Sequence, residues 1–185
     1  MKKILREFYQ KGIFVSIYSK TGSPENFSYG KIISVDNRHY AMYMISPDGK
    51  FDGVKVDEID NVLKMENSTL YDERMSLVMS ISKKDFDTYK FDGESILKTL
   101  LLIAKVNKQI VSVELLNSGI YDAIGFVHEI KNNLCIIEQV DHYGMNDGKM
   151  YFDLNDITKI VCHSNDEQTL LNLYLSRDKI IKKDK

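Results

Sequence analysis

The 185-residue chain has only two cysteines, Cys135 and Cys162, too few to staple a small secreted scaffold through disulfides. It also lacks any run near the roughly 20 apolar residues that a membrane-spanning helix needs. The longest candidate, Ile96 to Val106, is broken by Lys98 and Lys105. Charge of one sign is missing too: 25 Lys and Arg face 27 Asp and Glu, a net of −2. No global field therefore attracts a polyanion, although a local patch remains open. The first residues, MKKILREFYQ, are basic but lack the uninterrupted apolar stretch of a signal peptide. A G-x-S-x-G elbow, a phosphate-binding loop and a dinucleotide fingerprint are all absent. These absences point to a cytoplasmic, non-enzymatic protein without cofactors and without a membrane partner.

What is present is ordinary globular composition, 43% hydrophobic and 28% charged, arranged as a repeat. KKILREFYQKGIFVSI near the N-terminus resembles KTLLLIAKVNKQIVSV from Lys98, which sets Val15 against Val111, 96 residues apart. YGKIISV resembles IGFVHEI, setting Gly30 against Gly125 at 95. Further on, Ile59 and Val62 align with Ile157 and Ile160 at 98, and Asp72-Glu73 with Asp166-Glu167 at 94. The order is kept while the spacing drifts, as loop insertions and deletions would cause. A unit of about 90 residues is an ordinary size for a small domain.

Inside each unit the hydrophobic period is 2. Val111, Val113 and Leu115 alternate with Ser112 and Glu114, followed by short runs at Gly125 to Ile130, Leu134 to Ile137, Met150 to Leu154 and Ile157 to Val161. Turn residues separate them: Asn117-Ser118-Gly119, Asn132-Asn133 and Asp147-Gly148 in the second unit, with Asp36-Asn37, Asp48-Gly49 and Asp52-Gly53 in the first. Five short strands that hide their edges by closing on themselves predict a small barrel in each unit. A helix is predicted before each barrel, the second opening at Asp92-Gly93-Glu94-Ser95. The segments from Asp72 and from Asp166 read either as short helices or as a sixth strand. The predicted organisation is a mainly β chain: helix and barrel over 1–80, a linker over 81–92, then helix, barrel and C-terminal helix over 93–185.

VSVELLNSGIYDAIGFVHEI resembles the first motif of the Sm, LSm and Hfq proteins, with V-x-V-x-L, an Asn-Gly-like turn and a Gly opening the bent second strand. The resemblance implies two tandem Sm-like five-stranded barrels. It also implies where RNA would be read, and there the chain departs from the family. Asp36 falls six residues after Gly30, but His39 and Tyr40 follow where Met-Asn belongs. In the second unit Lys131 replaces the Asp, and Leu134-Cys135 the Met-Asn. Near strand five, Val56-Asp57-Glu58 and Leu154-Asn155-Asp156 stand where the family carries cations, and an acid there repels phosphate.

Two functional readings follow. The first is a protein-interaction or self-assembly module that works through edge strands. The second is an RNA-binding regulator on a different surface, where Tyr29, Lys31, Arg38, His39, Tyr40 and Tyr43 interleave rings that could stack bases with basic groups. Strand tyrosines packing on a barrel account for the same pattern. No catalytic residue and no metal ligand is assigned. Asp48 and Asp52 lack the ligand set of a calcium loop. Cys135, His142, Cys162 and His163 have no paired zinc spacing.

Overall fold

The computed structural model describes residues 1–21, 25–79, 89–91 and 95–183, with side chains to 177. The chain forms two compact units, Met1–Leu100 and Leu101–Lys185. Most of the predicted linker over 81–92 lies outside the described residues. Among the described residues, no helix is long and apolar enough to cross a membrane.

Unit 1 begins with α1 (Lys2–Lys11), whose Leu5 is fully buried while lysines and Arg6 face outward. Strands β1 (Phe14–Ser19), β2 (Phe27–Val35), β3 (His39–Ile45), β4 (Phe51–Glu58) and β5 (Val62–Glu66) follow, with one 3₁₀ turn (Ile59–Asn61) between β4 and β5. All ladders are antiparallel, in the order β5-β1-β2-β3-β4. Leu5 packs with Val15, Ile17, Ile32, Tyr40, Met42, Ile59 and Val62 on one face. On the other, Tyr29, Ile45 and Met75 meet beneath α2 (Leu70–Val78).

Unit 2 contains β6 (Ile110–Leu115), β7 (Ala123–Lys131), β8 (Leu134–Val140), β9 (Asn146–Asp153) and β10 (Ile157–Cys162), with a 3₁₀ turn (Leu154–Asp156) before β10. Their order is β10-β6-β7-β8-β9. Helix α3 (Ile96–Val106) precedes the strands and α4 (Asn165–Lys183) follows them. Ser95 opens α3, its hydroxyl accepting the Lys98 N–H at 3.3 Å. The segments after both sheets are therefore helices, which decides between the two readings the sequence left open. Thr69 and Ser164 cap them, and Asp72 and Glu167 return bonds to the cap N–H groups at 2.8 and 2.9 Å.

The five-strand content matches expectation, but the closed barrel does not. In each unit the 3₁₀ turn carries the fifth strand across to pair with the first, and no ladder joins fourth to fifth. Each unit is an open, bulged sheet. The Asp-Gly pairs are also reassigned. Asp48-Gly49 sits at the β3–β4 turn, whereas Asp52-Gly53 and Asp147-Gly148 lie inside β4 and β9. There they supply the extra residues where the registers shift, between Tyr43 and Ile45 and between Glu138 and Val140.

The structure tightens the repeat. Val15 pairs with Gly30 and Val111 with Gly125, so the spacing is 96 in the first strands and 95 in the second. From there it stays at 95 through both hairpins to the helix caps. Val62, not Ile59, corresponds to Ile157, and Asp72 corresponds to Glu167, not Asp166. The alternating apolar residues of strand five allowed a slipped alignment that the 3₁₀ turn excludes. Gly30 and Gly125 are required by close approach: a Cβ would stand 1.8 Å from the Tyr43 carbonyl oxygen and 2.0 Å from that of Glu138. Gly49 and Gly144 combine left-handed φ values of 81° and 74° with the same closeness to the following helix, at Val78 and Leu173.

Candidate functional site

The structure does not bring the six residues of the sequence-based surface onto one exposed face. Tyr29 and Lys31 on β2 share a face with Tyr43, which pairs with Lys31 across the ladder. Tyr40, three residues from Tyr43, points to the opposite face and belongs to the α1 core. All three tyrosines are at most 3% exposed. Tyr29 stacks on Phe14 with ring centres 6.0 Å apart and meets Tyr71 edge-on at 5.1 Å. Burial, then the Asp72 carboxylate, pushes its hydroxyl well above the usual range. Burial and Asp57 do the same to Tyr40. Tyr43 packs on Phe51 at 4.5 Å and Tyr89 at 6.2 Å. In this conformation the rings present no face on which a base could stack.

Arg38 lies in the β2–β3 turn and His39 opens β3; Asp36 organises both. Its carboxylate accepts the N–H groups of Arg38 at 2.8 Å, His39 at 2.7 Å and Ile96 at 3.2 Å. Burial would raise the Asp36 carboxyl, but these three donors outweigh it and the net direction is down. The Arg38 guanidinium is half exposed and closes on Glu58, Nη2 to Oε1 at 2.6 Å. His39 is buried, its Nδ1 3.7 Å from Asp36, and its Nε2 has no hydrogen-bond partner among the described residues. Burial holds its imidazole below the ordinary value. In unit 2 the corresponding Asn133 donates to Asp153, so both turns are tied to the end of the fourth strand.

A buried polar network beside this turn escaped the sequence reading. Lys55 and Asp57 on β4 are 4% and 1% exposed. The Lys55 ammonium lies 3.7 Å from the Asp57 carboxylate and donates to Ser28 at 2.9 Å. Asn61 donates to Asp57 at 3.2 Å. Asp57, which the Sm resemblance sets in a phosphate-facing position, lies inside with a lysine partner. The alternation Val54-Lys55-Val56-Asp57 reads as a strand with one solvated face, and nothing in that pattern signals a charge pair pointing inward. The register of unit 2 is corrected as well: Tyr151-Phe152-Asp153, not Leu154-Asn155-Asp156, occupies the place of Val56-Asp57-Glu58.

Six of the eight β4 residues are buried, from Gly53 to Glu58. In β9, of the same length, only Phe152 is buried and Tyr151 is 61% exposed. β9 and β5 each carry a ladder on one side only. Cys135 and Cys162 are buried thiols outside any disulfide, Cys162 donating to Gln109 Oε1 at 3.4 Å, and burial pushes Cys135 up to about 12. Among the described residues no group of three or more His, Cys, Asp or Glu is placed to hold a metal ion. Comparison with family models, with curated proteins and with solved structures returns no match.

Proposed function

We propose that the chain is a non-enzymatic, cytoplasmic assembly module built from two Sm-like units, joining further copies of itself or a protein partner by strand addition. The observation that carries this reading is the open edge of β9: eight residues, no proline, six of them exposed, and a ladder on one side only. Such an edge offers a row of unpaired N–H and C=O groups to an incoming strand. β5 supplies a second edge in the other unit. Addition of β9 to β5 of the next copy joins unit 2 to unit 1 head to tail, an arrangement that yields a closed ring where the rotation permits. Asp147, Lys149 and Asp153 along β9 restrict the added strand to one of matching charge. The bent five-stranded order, the preceding helix and the glycine opening the second strand support the Sm-like reading. Burial of the tyrosine rings and engagement of Arg38 by Glu58 favour assembly over the nucleic-acid alternative.

Light scattering across a wide concentration range tests the proposal. The expected result is a mass that rises with concentration to a defined multiple of the 21.4 kDa chain. A monomer at every concentration, without a captured strand-donating partner, would sink it. Tight RNA binding with a steep negative salt slope would replace it with the nucleic-acid reading.

A further inference from the structure

One face of the unit 1 sheet carries a row of aromatic rings. Phe14, Tyr29, Tyr71, Phe27 and Tyr18 follow one another with ring centres 6.0, 5.1, 5.1 and 5.1 Å apart. Four of the rings come from β1 and β2, and Tyr71 comes from α2. The chain itself sets cations on two of them. The Lys64 ammonium lies 4.0 Å from the centre of the Tyr18 ring. Glu66 completes that contact, accepting from Lys64 at 2.6 Å and from the Tyr18 hydroxyl at 2.8 Å. The Arg74 guanidinium lies 5.9 Å from the centre of Tyr71. A ring face is the negative pole of its quadrupole, so an ammonium gains attraction there and an anion loses it.

Where β2 begins, the row borders a pocket of about 410 Å³, lined by Glu25, Phe27, Tyr29, Met44, Pro47 and Tyr71. That volume lies toward the small end of small-molecule sites. Phe27 is 36% exposed and Tyr71 is half-buried, so an aromatic wall is already in place. No lysine or arginine among the described residues lines the pocket. Lys55, which donates to Ser28 at 2.9 Å, is matched by the Asp57 carboxylate at 3.7 Å. Asp52 also lines the pocket but is already engaged. Glu25 is exposed and has no ion pair or hydrogen bond among the described residues. The pocket therefore has the ring faces and the carboxylate, and lacks the cation.

We infer that this pocket binds a small organic ammonium ion, seated against the Phe27 and Tyr71 rings with its charge answered by Glu25. The guest completes here the set that Tyr18 and Glu66 make with Lys64. An anion would meet both the ring faces and the Glu25 carboxylate. A neutral apolar guest would gain from the rings alone. The site lies within unit 1 and does not depend on assembly through β9.

The test titrates choline into the full-length wild-type chain and follows the ring resonances by NMR. A parallel titration uses its neutral isostere, in which a tert-butyl group replaces the trimethylammonium. Contacts of a cation with half-exposed rings are weak, so choline is expected to bind with a dissociation constant on the order of a millimolar. It is expected to shift the Phe27 and Tyr71 resonances, and the isostere to bind at least roughly tenfold more weakly. Phe27→Leu keeps an apolar side chain and is expected to weaken choline binding about tenfold, and Glu25→Gln about threefold. Both variants are expected to keep the wild-type unfolding midpoint. If Phe27→Leu unfolds, Glu25→Gln at its exposed site and the isostere on wild type decide the matter. Equal affinity for the neutral isostere would reduce the pocket to an apolar groove and overturn the proposal. Choline shifts confined to other rings would overturn it too, as would no shift at all at about ten times the expected constant.

Discussion

Unit 1 holds Lys55, Asp57, Asn61 and the Tyr40 hydroxyl inside its sheet, with Ser28 half-buried beside them; the matching places in unit 2 are taken by Met150, Phe152, Asp156, Cys135 and Ala123. Strand lengths match except in the fifth strand, and bulge positions, turn glycines and helix caps are shared. Backbone geometry is thus maintained while interior chemistry diverges. Buried charge is rarely a net source of stability, because desolvation offsets most of the attraction. The Lys55–Asp57 pair is better understood as specifying one arrangement of β4 than as strengthening it.

Four experiments probe this contrast. The largest effect is expected where the units are alike. Gly30→Ala and Gly125→Ala force a Cβ onto a backbone oxygen, and each is expected to cost about 3 kcal/mol or more. Hydrogen exchange resolved by residue should show the loss confined to the altered unit. Equal loss in both would mean that the units do not unfold separately.

The second experiment exchanges the interiors. Lys55→Met leaves the Asp57 carboxylate buried without its ammonium and is expected to cost about 3 kcal/mol. Lys55→Met/Asp57→Phe, which installs the unit 2 pair, is expected to recover most of it. A double variant as unstable as the single one would show that the network does more than specify packing.

The caps come third. Thr69→Ala and Ser164→Ala should each cost about 1 kcal/mol. Glu167→Gln is expected to exceed Ser164→Ala, since Glu167 also accepts from the buried Ser112 hydroxyl at 2.6 Å. Denaturant midpoints would check the order.

The smallest effect concerns pH. Burial keeps the folded His39 imidazole below its ordinary 6.5, so the unfolded chain binds more protons as pH falls through about 6.5. Stability is full above that pH and declines below it. His39→Leu, which places the unit 2 residue in unit 1, is expected to flatten the decline between about pH 7 and pH 5. Part should persist, because burial lowers His163 in the same direction. An unchanged slope would contradict a neutral, buried His39.

Much of this architecture was legible in the residues. Period-2 alternation located ten strands, and the paired Gly30 and Gly125 marked the repeat because each admits a backbone oxygen where a side chain would stand. The acidic residues after each sheet left a helix and a sixth strand both open, and the return of Asp72 and Glu167 to cap N–H groups decides for the helix. The slipped alignment of strand five arose from alternating apolar residues, which look alike in any register.

What the sequence by itself determined is local and periodic: the strands, the helix before each sheet, some of the turns and the repeat. All follow from the dihedral limits of glycine and from the need to bury every second residue of a strand. Only the tertiary structure decided whether the sheets close, which tyrosines are spent in the core, that Lys55 and Asp57 face inward together, and that β9 stays open. Those outcomes depend on which edge the fifth strand reaches and on what covers each face, and neither is encoded within a short window of residues.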